Sequence, residues 1–106
     1  MEEIRYDKLV RDSIPAIIKA NGQTAVVRVL PEPAYARALH AKLLEECTEY
    51  LESRELEELA DVLEVILAIL ETRGVSFEHL EALREQKKQK NGGFAMRYFL
   101  EKTIRE

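Results

Sequence analysis

The chain has no tryptophan, a single cysteine and only seven per cent aromatic residues in 106 positions. So few rings disfavour a nucleic-acid module that works by stacking bases. The lone thiol, Cys47, cannot close an internal disulfide and fits a reducing compartment. Long apolar runs are missing too. The longest, residues 65–70 (VILAIL), is six residues, against the roughly 20 that a membrane span needs. The start, Met1-Glu2-Glu3, is acidic and lacks the basic-then-apolar layout of a secretory signal. These absences set the expectation of a soluble, cytoplasmic protein with no membrane partner.

What is present is a composition of 46% hydrophobic and 34% charged residues, that of a folded globular chain. Its length suits one domain, 1–106, small enough that a partner subunit could complete the core. The net charge of −4 is unevenly spread. Residues 42–64 hold nine acidic and two basic side chains, which leaves the rest of the chain at +3. Residues 84–105 hold seven basic and two acidic ones. The overall negative charge argues against a nucleic-acid partner.

The pattern is helical almost throughout. Asp12-Ser13-Ile14-Pro15 reads as a helix start, Ile14, Ile17 and Ile18 give an apolar stripe, and Asn21-Gly22 ends it. Residues 33–52 carry Leu39, Leu43, Cys47, Tyr50 and Leu51 along one side. After a break at Ser53-Arg54, residues 55–73 carry a broad apolar stripe from Leu56 to Leu70, with Gly74 as the stop. Ser76 caps a further helix that ends in Lys87-Lys88-Gln89-Lys90, with Leu80 and Leu83 turned inward. The one β-like run, residues 24–30 (TAVVRVL), finds its best mate in residues 96–101 (MRYFLE). The expected fold is an all-α helical bundle on a central αα-hairpin, with that minor two-stranded element beside it.

The chemistry is concentrated in Glu45-Glu46-Cys47-Thr48-Glu49 and Glu58-Leu59-Ala60-Asp61. Residues three apart share a helix face, so Glu46 joins Glu49 and Glu58 joins Asp61. An antiparallel hairpin turning at residues 53 and 54 brings Glu49 level with Glu58 and Glu46 level with Asp61. The four carboxylates can then form one square between two helices. A solvated acidic face is the alternative reading of such stripes. Against it, Glu45→Glu49 and Glu57→Asp61 are like-charged i,i+4 pairs, each costing a few tenths of a kcal/mol. A divalent cation would remove that cost, and hard carboxylate oxygens suit Mg²⁺ or Mn²⁺ over Zn²⁺.

The EExxE of residues 45–49 followed by the ExxD of residues 58–61 resembles the metal-binding signature of the MazG-type all-α nucleoside triphosphate pyrophosphohydrolases. The chain is similar in particular to a phosphoribosyl-ATP pyrophosphohydrolase-like branch. That likeness rests on YDKLVRDSIP (residues 6–15), KLLEE (42–46), EELADVLEV (57–65) and the KxxKxGGF tail (87–94). The spacer between Glu49 and Glu58 is eight residues, shorter than the family generally has.

The resemblance implies that Glu46, Glu49, Glu58 and Asp61 bind Mg²⁺ and that Glu45 orients the attacking water or helps hold a further ion. The reaction it implies is hydrolysis between the α and β phosphates of a nucleotide, releasing pyrophosphate. Four carboxylates and a triphosphate repel each other, so further cations should line the pocket. Lys8 and Arg11 rank first by motif position, then Lys87, Lys90 and Arg97. Relatives of this type pair helices across subunits, which implies a homodimer or homotetramer. A reading of a different class stays open: a non-catalytic helical interaction module whose acidic face docks a basic partner. His40, His79, Cys47 and Ser13 read as ordinary helix residues, and Phe94, Tyr98 and Phe99 as cover for the core.

Overall fold

A computed structural model describes residues 2–105; Met1, the first residue of the acidic start, and Glu106 lie outside it. The described residues form four helices, α1 (Ile14–Ala20), α2 (Glu32–Ser53), α3 (Leu56–Thr72) and α4 (Phe77–Asn91). The chain divides into two compact units, Met1–Gly74 and Val75–Glu106. No helix among the described residues is long and apolar enough to cross a membrane.

In the first unit α1 starts with Pro15 in its opening turn and ends where Gly22 takes φ +84, a conformation open to glycine at no steric cost. Ser13 occupies the N-cap position, yet its side chain makes no capping bond. Its backbone is helical (φ −84, ψ −9), whereas a capping residue needs an extended backbone to turn its oxygen back onto the helix.

α2 and α3 build the αα-hairpin and pack on each other. The connection is only Arg54 and Glu55. Arg54 closes α2 in the left-handed region (φ 61, ψ 16), its N–H donating to the Tyr50 carbonyl at 2.7 Å. Its Nε donates to the Leu51 carbonyl at 2.7 Å, which offsets part of the roughly 1–2 kcal/mol that this backbone costs a non-glycine residue. The Glu55 N–H then donates to Ser53 Oγ at 3.1 Å.

Leu39, Val65 and Leu70 are the buried apolar residues of the hairpin. Leu43, Cys47, Tyr50, Val62 and Ile66 are half-buried around them. The broad apolar stripe of α3 is only partly used. Leu56, Leu59 and Leu63 are exposed, as are Leu44 and Leu51 of α2.

The second unit holds α4, whose start obeys the capping rule that Ser13 does not. Ser76 is extended (φ −79, ψ 156), and its Oγ accepts from the His79 N–H at 3.1 Å. The helix is polar on nearly all sides. Arg84 pairs with Glu81 at 2.6 Å and with Glu85 at 3.0 Å, Leu80 is half-buried, and Leu83 is exposed rather than inward.

The all-α expectation holds, and the minor β element does not form. Among the described residues there is no strand, at 24–30, at 96–101 or elsewhere. Val26 and Val29 are almost fully exposed, so β propensity alone has no apolar layer to bury there, and a two-stranded ribbon is marginal without one. Phe94, Tyr98 and Phe99, expected to cover the core, are likewise not buried in their unit.

Candidate metal centre

The tight turn at Arg54 fixes the register of α2 against α3, and that register brings the carboxylates together. Glu46, Glu58 and Asp61 each offer an oxygen within 4.8 Å of the other two. Glu46 comes from α2 and the other two from α3, so no short stretch of chain could build this trio alone. Glu46 and Asp61, expected to face each other, come within that reach, although the connection is Arg54 and Glu55 and not the expected residues 53 and 54. Glu49 stands beside the trio, close enough that its carboxyl perturbs both Glu46 and Glu58.

Glu46 is the anomaly. Its side chain is 8% exposed, and it is the only charged residue among the buried ones described. Lys42 Nζ lies 3.2 Å from Oε1, but the buried Oε2 has no hydrogen-bond partner. A buried polar atom without a partner costs about 1–3 kcal/mol, more if it is charged. Burial pushes the Glu46 pKa up, the adjoining Glu49 adds to that, and Lys42 works against it. Glu58 is also raised, by partial desolvation and by the charges of Asp61 and Glu46. These are carboxylates crowded together without enough positive charge of their own.

Three cations face them. Lys42 reaches Glu45 Oε2 at 2.8 Å as well as Glu46 Oε1, from three and four residues up the same helix. Burial lowers the Lys42 pKa, but its bonds to Glu45 and Glu46 outweigh that and raise it. Lys8, on the segment before α1, donates to Glu45 Oε1 at 3.0 Å. Arg11, on the same segment, donates to Asp61 Oδ1 at 2.7 Å. Glu45 is thus held at both oxygens, and the Lys42 hydrogen bond, seconded by Lys8, keeps its pKa below the ordinary value against some desolvation.

Of the five cations ranked from the sequence, Lys8 and Arg11 therefore lie at the cluster. Lys87 and Lys90 are on α4, and Arg97 follows it with φ 59; all three belong to the second unit. Lys42 was missed, since in the sequence it reads as part of a polar stripe. Its i,i+3 and i,i+4 spacing to Glu45 and Glu46 is the signal that could have found it. His40 and His79 are exposed, and Cys47 is a half-buried free thiol. An open recess lined by Pro15, Lys19, Gln23 and Ala25 gathers no acidic groups and lies apart from the cluster residues.

The donor set consists wholly of hard oxygens, and one of them is buried and unsatisfied. Both features fit a small divalent cation such as Mg²⁺. Fold and site together define an all-α hairpin protein with an acidic centre between two helices.

Comparison with known proteins adds little to that class. A stretch of 42 residues, 40% of the chain, is 52% identical to an uncharacterized protein of Mycolicibacterium smegmatis (strain ATCC 700084 / mc(2)155). The match spans 43% of that protein, less than half its length. No family model and no solved structure matches the chain.

Proposed function

We propose that this chain is a Mg²⁺-dependent nucleotide pyrophosphohydrolase of MazG type, cleaving the α–β phosphoanhydride of a nucleoside triphosphate or phosphoribosyl-ATP. The observation that carries the reading is Glu46: its Oε2 is buried and unpartnered, and the residue offers a carboxylate oxygen within 4.8 Å of oxygens of Glu58 and Asp61. A solvated acidic face or a docking patch for a basic protein has no use for a carboxylate withdrawn from solvent. A cation-binding centre does.

In this reading Glu46, Glu58 and Asp61, with Glu49 beside them, hold Mg²⁺. The bound ion supplies charge screening for the phosphates and polarises the phosphorus–oxygen bonds. Glu45, kept ionised by Lys42 and Lys8, orients the attacking water by accepting its hydrogen bond. A lowered pKa suits orientation better than proton removal. Lys8 and Arg11 sit on an irregular segment and are half-exposed or more, so they can turn from the carboxylates to the incoming phosphates. Water adds to the α phosphorus, the α–β bridge breaks, and a nucleoside monophosphate and pyrophosphate leave.

A homodimer or homotetramer in the cytoplasm belongs to the same reading. The exposed Leu44, Leu51, Leu56, Leu59 and Leu63 support it, because two packed helices that leave five leucines in water still have apolar area to bury. Light scattering should find more than one chain per particle, and a folded monomer at micromolar concentration would remove the oligomer from the proposal.

The deciding experiment is pyrophosphate release across a panel of nucleotides, with and without Mg²⁺. Glu49→Gln combined with Asp61→Asn should abolish turnover and keep the helical content. Unchanged release in that variant would end the reading.

A further inference from the structure

Lys42 is bound to the cluster differently from Lys8 and Arg11. Those two arrive from an irregular segment, with side chains 42% and 55% exposed. Lys42 is anchored on α2 itself, is 16% exposed, and touches two glutamates at once. Of the four carboxylate oxygens of Glu45 and Glu46, three are engaged by ammonium groups: Glu45 Oε1 by Lys8, and Glu45 Oε2 and Glu46 Oε1 by Lys42. Only the buried Glu46 Oε2 has no partner. Lys42 Nζ lies 2.8 Å from Glu45 Oε2 and 3.2 Å from Glu46 Oε1, the position that any cation bridging those two carboxylates would have to take.

The charge balance leads to the same place. Glu45, Glu46, Glu49, Glu58 and Asp61 face Lys8, Arg11 and Lys42, leaving a formal −2. One divalent ion neutralises that, while a second would leave the cluster as positive as it was negative and lose the electrostatic drive to bind.

We propose that the Lys42 ammonium takes the place of a second metal ion, so that this centre binds one divalent cation and Lys42 serves as the positioning residue that leaves Glu46 Oε2 free for it. This rests on the metal-centre reading above. Lys42 does not touch the reacting atoms. It fixes Glu46 through one oxygen and sets the number of ions through its charge. Removing the charge should open the position between Glu45 and Glu46 to a second hard cation, because both carboxylates would be released there together.

Mn²⁺ titration followed by electron paramagnetic resonance of the free ion tests this without reference to turnover. The wild-type chain should bind about one Mn²⁺, Lys42→Met and Lys42→Gln about two, and Lys42→Arg, which restores the charge, about one again. Circular dichroism checks that each variant keeps its helices. About two ions in the wild type would overturn the proposal whatever the variants do. So would about one in both neutral variants, and the metal centre would survive that result. No Mn²⁺ bound by the wild type would instead sink the metal reading, and this inference with it.

Discussion

Arg11 reaches from the segment ahead of α1 to Asp61 on α3, where its guanidinium donates to Oδ1 at 2.7 Å. Lys8, three residues earlier, makes the matching contact to Glu45 on α2 at 3.0 Å. One irregular segment thus spans both arms of the hairpin and lends each a positive charge. Both contacts are partly exposed, so each is worth no more than about 1 kcal/mol. That is weak enough to be exchanged for a phosphate.

Arg11 should therefore act in opposite directions on metal and on substrate. Arg11→Gln removes a competitor for Asp61, and Mg²⁺ should bind several-fold more tightly, in line with about 1 kcal/mol. The same variant loses a phosphate contact, so KM for the nucleotide should rise more than kcat falls. Calorimetric Mg²⁺ titration and steady-state kinetics on one preparation check both. Weaker Mg²⁺ binding together with unchanged KM would mean that Arg11 only braces the fold.

Glu46→Gln separates stability from function. The buried carboxylate oxygen becomes an amide that carries no charge and can donate to the Asp61 or Glu58 carboxylate. The metal-free protein should gain about 1 kcal/mol, seen as a rise of several degrees in Tm. Thermal stabilisation by Mg²⁺ should vanish in the same variant. A lower metal-free Tm would show that the charged form is already satisfied.

The pH dependence follows from the shifted carboxyls. Burial raises Glu46, and partial desolvation with Asp61 and Glu46 raises Glu58, so both protonate above the ordinary value of 4.5. A carboxyl with a raised folded pKa destabilises the fold when ionised. That penalty is full above the folded value and gone below the unfolded one. For these two groups the metal-free protein should gain stability as pH falls through the window above 4.5. Glu45 has the opposite sign: its pKa is lowered by Lys42 and Lys8, and the stability it contributes is lost only as pH falls below 4.5 toward its depressed value. Protons and Mg²⁺ compete for Glu46 and Glu58, so stabilisation by Mg²⁺ should be full at neutral pH and fade in that same window. Thermal melts with and without Mg²⁺, from neutral pH to about 4, read all of this.

Arg54 sets the register on which the cluster depends, and its left-handed backbone can be tested directly. Arg54→Gly relieves the φ cost but loses the Nε bond to Leu51, so stability should change by less than about 1 kcal/mol. Arg54→Val puts a β-branched side chain at φ 61 and should destabilise by about 2 kcal/mol, with weaker Mg²⁺ binding as the hairpin loosens. Chemical denaturation of the two variants side by side gives the comparison. Equal stability would mean that the turn relaxes to another conformation.

The helices were legible because they are written locally. The i,i+3 and i,i+4 spacing of the apolar residues, Ser76 ahead of α4, and Gly22 and Gly74 past helix ends all act over a few neighbouring residues. The pairing of Glu46 with Asp61 was legible for a related reason. Two helices joined by a short turn run antiparallel, so carboxylates at similar distances from it come near each other. The connection is Arg54 and Glu55, one residue beyond the expected break, so counting gives the neighbourhood and not the level. The strand at 24–30 misled because β propensity is only a preference for a pleated, half-buried surface, and no such surface is available to it here.

Tertiary structure alone decided the rest. Nothing in the order of residues says that Glu46 is withdrawn from solvent while Glu58 stays half-exposed, or that Oε2 is left without a partner. Nor does it say that Arg11 meets Asp61 while Lys8 meets Glu45. Periodicity assigns a residue to a face of its own helix. The burial of that face, and the charge it meets, depend on chain segments far away in sequence, brought close only when the hairpin and the segment before α1 pack together.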